Sequence, residues 1–120
     1  MQNPDKLRVA GVAEDLALAV YDYTDAFPND ERYGLTAQMR RAAVSIGSNI
    51  FEGCSRQTNK SFVAYLYNAH GSAGEILFQL RIACKRSCGD PTKADAVYRG
   101  LVNIRRMLSR LIRKVDERRS

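Results

Sequence analysis

The chain has 120 residues, 45% of them hydrophobic, which fits one domain with a modest core and makes burial against a partner favourable. Lys and Arg number 19 against 13 Asp and Glu, a formal charge of +6. No apolar run is long enough to span a bilayer. The start MQNPDKLRVAGVAEDLALAV holds acids inside its apolar region, which excludes a secretory signal, so a cytoplasmic protein is expected.

Punctuation divides the chain into four expected helices, about 4–26, 35–53, 59–88 and 91–118. The first opens with Asn3-Pro4 and repeats apolar residues at Val9, Ala13, Leu16, Val20, Tyr23 and Phe27. Its opposite face carries Glu14, Asp15, Asp22 and Asp25, with Leu18 among them. Phe27-Pro28-Asn29-Asp30 ends it. The second repeats Leu35, Met39, Ala42, Ile46 and Asn49, and Gly53 to Asn59 forms the next break. The third repeats Phe62, Leu66, Ala69, Ala73, Ile76, Leu80, Ala83 and Ser87. Then Gly89 suits a helix C′ position, Asp90 an N-cap and Pro91 the first position of the fourth helix. That helix repeats Ala94, Val97, Leu101, Ile104, Leu108, Leu111 and Val115.

These repeats alternate steps of four and three, the period of left-handed knobs-into-holes packing. No segment alternates with period two, so no strands are expected. The fold class is all-α. Residues 1–120 are read as a single antiparallel up-down-up-down four-helix bundle with left-handed heptad packing.

The faces that should be wet are uneven. Residues 1–53 carry 5 basic and 8 acidic side chains, whereas 99–120 carry 8 and 2. On the fourth helix Arg99, Arg106 and Arg113 recur one heptad apart, with Arg110 nearby, which points to a polyanion-binding face or a charge-complementary contact between copies. The second helix instead shows Ala37, Val44 and Phe51 behind its seam. The third shows Ala64, Gly71 and Phe78, flanked by Tyr67 and Ile82. Two apolar or small stripes on outward faces mark a candidate oligomer interface. Asn49 is read as a buried polar residue that sets register, against simple bonding at the bundle edge.

Little points to catalysis. Cys54, Cys84 and Cys88 are odd in number and fit no zinc spacing; they are read as buried free thiols, with Cys84 and Cys88 on one helix face. The one histidine, His70, has Glu75 as its nearest acid, on a different helix face, and is read as a surface polar residue. No phosphate-binding glycine loop, catalytic triad or di-iron motif is present. Neither a metal, a cofactor nor an enzyme activity is expected.

One stretch resembles a known family. Tyr33-Gly34-Leu35-Thr36, Gln38 to Ile46, Ser48-Asn49-Ile50 and Glu52-Gly53 are similar to the signature of the bacterial four-helix-bundle proteins encoded in 23S rRNA intervening sequences. Phe27-Pro28, Arg56, Gly71-Ser72 with Glu75, and Gln79-Leu80 with Ile82-Ala83 fit as well, over roughly residues 20 to 115. The resemblance implies a cytosolic bundle assembled as a homopentameric ring. It also implies a distant relation to the accessory protein of diversity-generating retroelements, a basic pentamer that binds nucleic acid and partners a reverse transcriptase. It supplies no catalytic residues. The family usually has Pro where this chain has Gly47, and Ala where it has Phe51.

The resulting expectation is a non-enzymatic homo-oligomer that binds nucleic acid, RNA rather than DNA. Arg99, Arg106, Arg110, Arg113 and Lys114 would neutralise phosphates, Arg118 and Arg119 would extend the stripe, and Arg40 and Arg41 would add contacts beside the interface. For Arg40 and Arg41 the alternative is a salt bridge or solvent. The alternative for the whole is a scaffolding oligomer for a protein partner such as a reverse transcriptase. In that reading, the first helix's acidic face docks on the fourth helix of a neighbour.

Overall fold

The computed structural model describes residues 1–119, with side chains through Glu117. Four α-helices carry the chain: α1 Arg8–Thr24, α2 Leu35–Cys54, α3 Asn59–Lys85 and α4 Pro91–Arg119. Two short 3-10 turns, Pro4–Lys6 and Asn29–Glu31, precede α1 and α2. Each helix packs on its two neighbours in the cycle α1, α2, α3, α4, and no diagonal pair packs among the described residues. The body measures 48 × 21 × 21 Å, two helices wide and one long helix tall.

Contacts at the helix ends fix the directions. Near the start of the chain, the Gln2 N–H donates to the Cys54 carbonyl at the end of α2. The end of α1 meets the start of both α2 and α4, through Asp25–Arg40 (2.8 Å) and Asp22–Lys93 (3.1 Å). Both neighbours of α1 therefore run antiparallel to it. One end of the bundle holds the connections 25–34 and 86–90; the other holds the chain start, the 55–58 turn and the end of α4.

The heptad seams become the core. Val9, Ala13, Leu16, Val20, Tyr23, Met39, Ile46, Leu66, Ile76, Leu101, Ile104 and Leu108 are all buried. Burying a large aliphatic side chain contributes about 1.5–3 kcal/mol, so the interior dominates stability. The core is wider than the seams alone, because Ala43, Ile50, Cys54, Val63 and Ile112 join it.

Several expected boundaries move. The first helix does not run on from Pro4: Asn3 Oδ1 caps only a 3-10 turn, Leu7 turns extended, and α1 begins at Arg8. The third helix stops at Lys85, so Ser87 leaves the seam and is exposed. Its end is a Schellman closure: the Cys88 N–H donates to the Ala83 carbonyl (2.9 Å) and the Ser87 N–H to the Cys84 carbonyl (3.0 Å). Ser87, with φ 59°, occupies the left-handed C′ position expected of Gly89. Gly89 is left-handed too, at φ 76°, and a Cβ there would fall 2.7 Å from the Tyr23 ring and 3.0 Å from Phe27. Asp90 caps α4 as expected, its Oδ1 accepting from the Thr92 N–H at 2.9 Å.

The connection before α2 is held from outside. Glu31 accepts from the Leu35 N–H through Oε1 (3.1 Å) and pairs through Oε2 with Arg86 Nε (3.2 Å). One carboxylate thus caps α2 and ties the 25–34 connection to the end of α3.

Candidate nucleic-acid interface

Turning Val97, Leu101, Ile104, Leu108, Ile112 and Val115 inward leaves the opposite side of α4 in water. Arg99, Arg106 and Arg113 are exposed along the middle of that side, and Arg110 and Lys114 are exposed toward α1. Arg99 pairs with Asp95 one turn earlier, at 2.9 Å. Among the described residues it is the only one of the five held in a salt bridge. The side chains of Arg118 and Arg119 lie outside the described residues.

Arg40 and Arg41 are not part of this surface, because α2 sits diagonally across the bundle from α4. Arg40 is already engaged. Its guanidinium stacks on the Tyr21 ring (4.7 Å to the centroid), its Nε donates to Thr24 Oγ1 (2.9 Å), and its Nη2 pairs with Asp25. Arg41 is exposed on the outer side of α2. Conversely, the fold brings one cation to α4 that stripes on single helices do not reveal. Arg8, at the start of α1, shares a surface hollow with Arg110 and Lys114.

The outward faces of α2 and α3 are apolar where expected. Val44, Phe51, Tyr67 and Phe78 are exposed to 47%, 43%, 58% and 66%. Ala64 and Gly71 are exposed between them, and Ala37 and Ile82 are half-buried. Asn49 does not reach another helix. Its Nδ2 donates to the Ser45 carbonyl (2.9 Å) and Ser45 Oγ (3.1 Å), and Ser45 Oγ meets Ser72 Oγ across the α2–α3 seam at 3.0 Å. Bonding within its own helix replaces the expected register role.

The signature residues near the α2–α3 turn serve packing. Arg56 pairs with Glu52 (2.6 Å), donates to the Tyr65 hydroxyl (2.9 Å) and stacks over that ring. A Cβ at Gly53 would sit 2.8 Å from Tyr65 Cβ, so glycine there permits the close approach of α2 and α3.

The thiols match their expected setting in two cases of three. Cys54 and Cys88 are buried, but Cys84 is exposed. Cys84 and Cys88 no longer share a helix face, since α3 ends between them. Burial pushes the Cys54 thiol up, opposed by the N-terminal ammonium. Burial, helped by Cys84 and Cys88, also holds the Tyr23 hydroxyl far above its ordinary value, and that hydroxyl donates to the Cys88 carbonyl at 3.0 Å. His70 is half-buried at the surface of α3, its Nε2 3.3 Å from Ser109 Oγ on α4. Burial, then the charge of Arg105, lowers its pKa below 6.5. Among the described residues no three His, Cys, Asp or Glu side chains group to hold a metal ion, and no helix is long and apolar enough to cross a membrane.

Fold and surface together define a small basic four-helix-bundle protein. The model of the 23S rRNA-intervening sequence protein family matches residues 5–110, and the chain belongs to that family. A similar solved structure is a protein of unknown function from the S23 ribosomal protein family of Bacteroides thetaiotaomicron. It shares 20% identity, with a TM-score of 0.79 over 87% of this chain and 97% of that one, a likeness of fold. No curated protein matches the sequence.

Proposed function

We propose that the protein is a non-catalytic, self-associating accessory protein of the cytoplasm that binds RNA through the outer face of α4. The observation that carries the reading is the exposure of Arg106, Arg110, Arg113 and Lys114 on one helix, with only Arg99 of the five in a salt bridge among the described residues. Cations gathered on one rigid helix attract a phosphate backbone without reading its sequence. Few aromatic side chains accompany them, which favours structured RNA over base stacking on a single strand. Self-association uses the apolar outer faces of α2 and α3, with Phe51 and Phe78 as anchors. A ring, pentameric by the family resemblance, would repeat the basic face and convert weak contacts into avidity.

A second reading keeps the oligomer and changes the use of its charges. Leu18 is 69% exposed beside Glu14 and Asp15, an apolar knob with acidic flanks that would fit the α4 face of another copy in a protein-binding scaffold. Asp22 and Asp25 are already committed to Lys93 and Arg40, which leaves that face with less charge to offer.

One variant separates the two. With Arg99, Arg106 and Arg113 all changed to Gln, the RNA reading expects an unchanged particle mass in sedimentation. It also expects loss of salt-sensitive binding to structured rRNA fragments. Disassembly of the particle supports the scaffold instead. Undiminished binding in the variant removes the α4 face from consideration.

A further inference from the structure

The start of α1 lies against the second half of α4, and a hollow of about 240 Å³ opens between them. Leu7, Met107 and Leu111 give it an apolar floor, while Arg8, Arg110 and Lys114 are exposed around it. No carboxylate lines it, and none of the three cations is in a salt bridge among the described residues. Three cations from two helices thus border one concavity, and an anion placed in it would be attracted by all three. The volume falls below the roughly 300–1,000 Å³ of pockets that enclose whole small molecules, which suits a single phosphate group. The local backbone agrees: Leu7, at the α1 N-cap, supplies no side-chain acceptor, and the first turn holds no acid.

We propose that this hollow seats one backbone phosphate of the bound RNA, with Arg8 forking two donors onto its oxygens and Arg110 and Lys114 closing the other side. The assignment rests on the RNA-binding reading above and adds a contact from α1. The bound strand then crosses from the outer face of α4 onto the α1–α4 seam instead of following α4 alone.

The test pairs two measurements on the intact protein. Binding of a labelled RNA hairpin is followed across a salt series for the wild type, Arg8→Gln and the exposed control Lys60→Gln. In parallel, inorganic phosphate is titrated against the amide spectrum. The seat requires Arg8→Gln to weaken binding about five- to tenfold near 0.1 M salt and to reduce the salt slope by roughly 0.7–0.9, the value of one phosphate contact. It also requires saturable shifts at Val9 and Ala10 that Arg8→Gln abolishes, and an unaffected control. If Arg8→Gln matches the wild type in affinity and slope, the seat is wrong and the RNA reading stands on α4 alone. If the wild type binds no RNA, both fall, and shifts with phosphate then mark only an anion pocket.

Discussion

Two groups of charged side chains, near opposite ends of the bundle, are treated in opposite ways. At the end that holds the 25–34 and 86–90 connections, Asp22, Asp25 and Glu31 are matched to Lys93, Arg40 and Arg86, each pair joining separate parts of the chain. Near the opposite end, where Arg56 pairs with Glu52, Arg8, Arg110 and Lys114 border one hollow without salt-bridge partners among the described residues. The matched end spends its charges on holding connections in place. The second group is the one that the proposed RNA contact would use. Damage to the first should therefore appear as lost stability, and damage to the second as lost binding.

The sharpest way to break this comparison is Gly89→Ala, at the matched end. Left-handed backbone and contact with Tyr23 and Phe27 together predict a loss of about 2–3 kcal/mol by denaturant unfolding. A stability equal to wild type would mean that this end is loosely packed. Glu31→Ala follows. It removes the α2 cap and the Arg86 pair and should cost about 1–2 kcal/mol, with RNA affinity intact. Gly47→Ala provides the contrast of sign. A Cβ there would meet only Ala13 Cβ, at 3.8 Å, so the better helix former should stabilise by about 1 kcal/mol. A loss would show that α2 needs glycine at this point. Arg113→Gln, near the opposite end, should change stability by less than about 0.5 kcal/mol while weakening the proposed RNA binding.

The smallest expected effect is one of pH. Because the folded pKa of His70 lies below its unfolded value of 6.5, the folded state binds fewer protons. Its contribution is complete above pH 6.5, declines as the pH falls through 6.5 toward the depressed folded value, and then levels off. Between about pH 7.5 and 5.5 the wild type should lose more Tm than His70→Gln. An identical loss in both would place the pH dependence elsewhere.

The helices were legible because their seams repeat over several turns, and a period is a property of sequence alone. Val9 to Phe27 and Phe62 to Ala83 needed no partner to be recognised. Ends were less legible. Ser87 adopts a left-handed conformation that its composition does not announce, and Leu7 interrupts a helix that Asn3-Pro4 had opened. The basic surface was half legible for the same reason. Arg99, Arg106 and Arg113 share one helix and show themselves by spacing, but Arg8 joins Arg110 only when α1 meets α4. The sequence left Arg40 open between a phosphate contact and a salt bridge, because Tyr21, Thr24 and Asp25, which engage it, come from another helix. Asn49 was misread because its nearest acceptors lie four residues back in its own helix.

Of the four seams, three join helices consecutive in the chain, and only α1–α4 brings together the first and the last. The three local seams close short loops at little entropic cost, whereas the fourth closes a loop of almost the whole chain. The Arg8–Arg110–Lys114 hollow lies on that seam. Were the proposed phosphate seat filled, the bound anion would act as a latch, favouring the closed bundle in proportion to its occupancy.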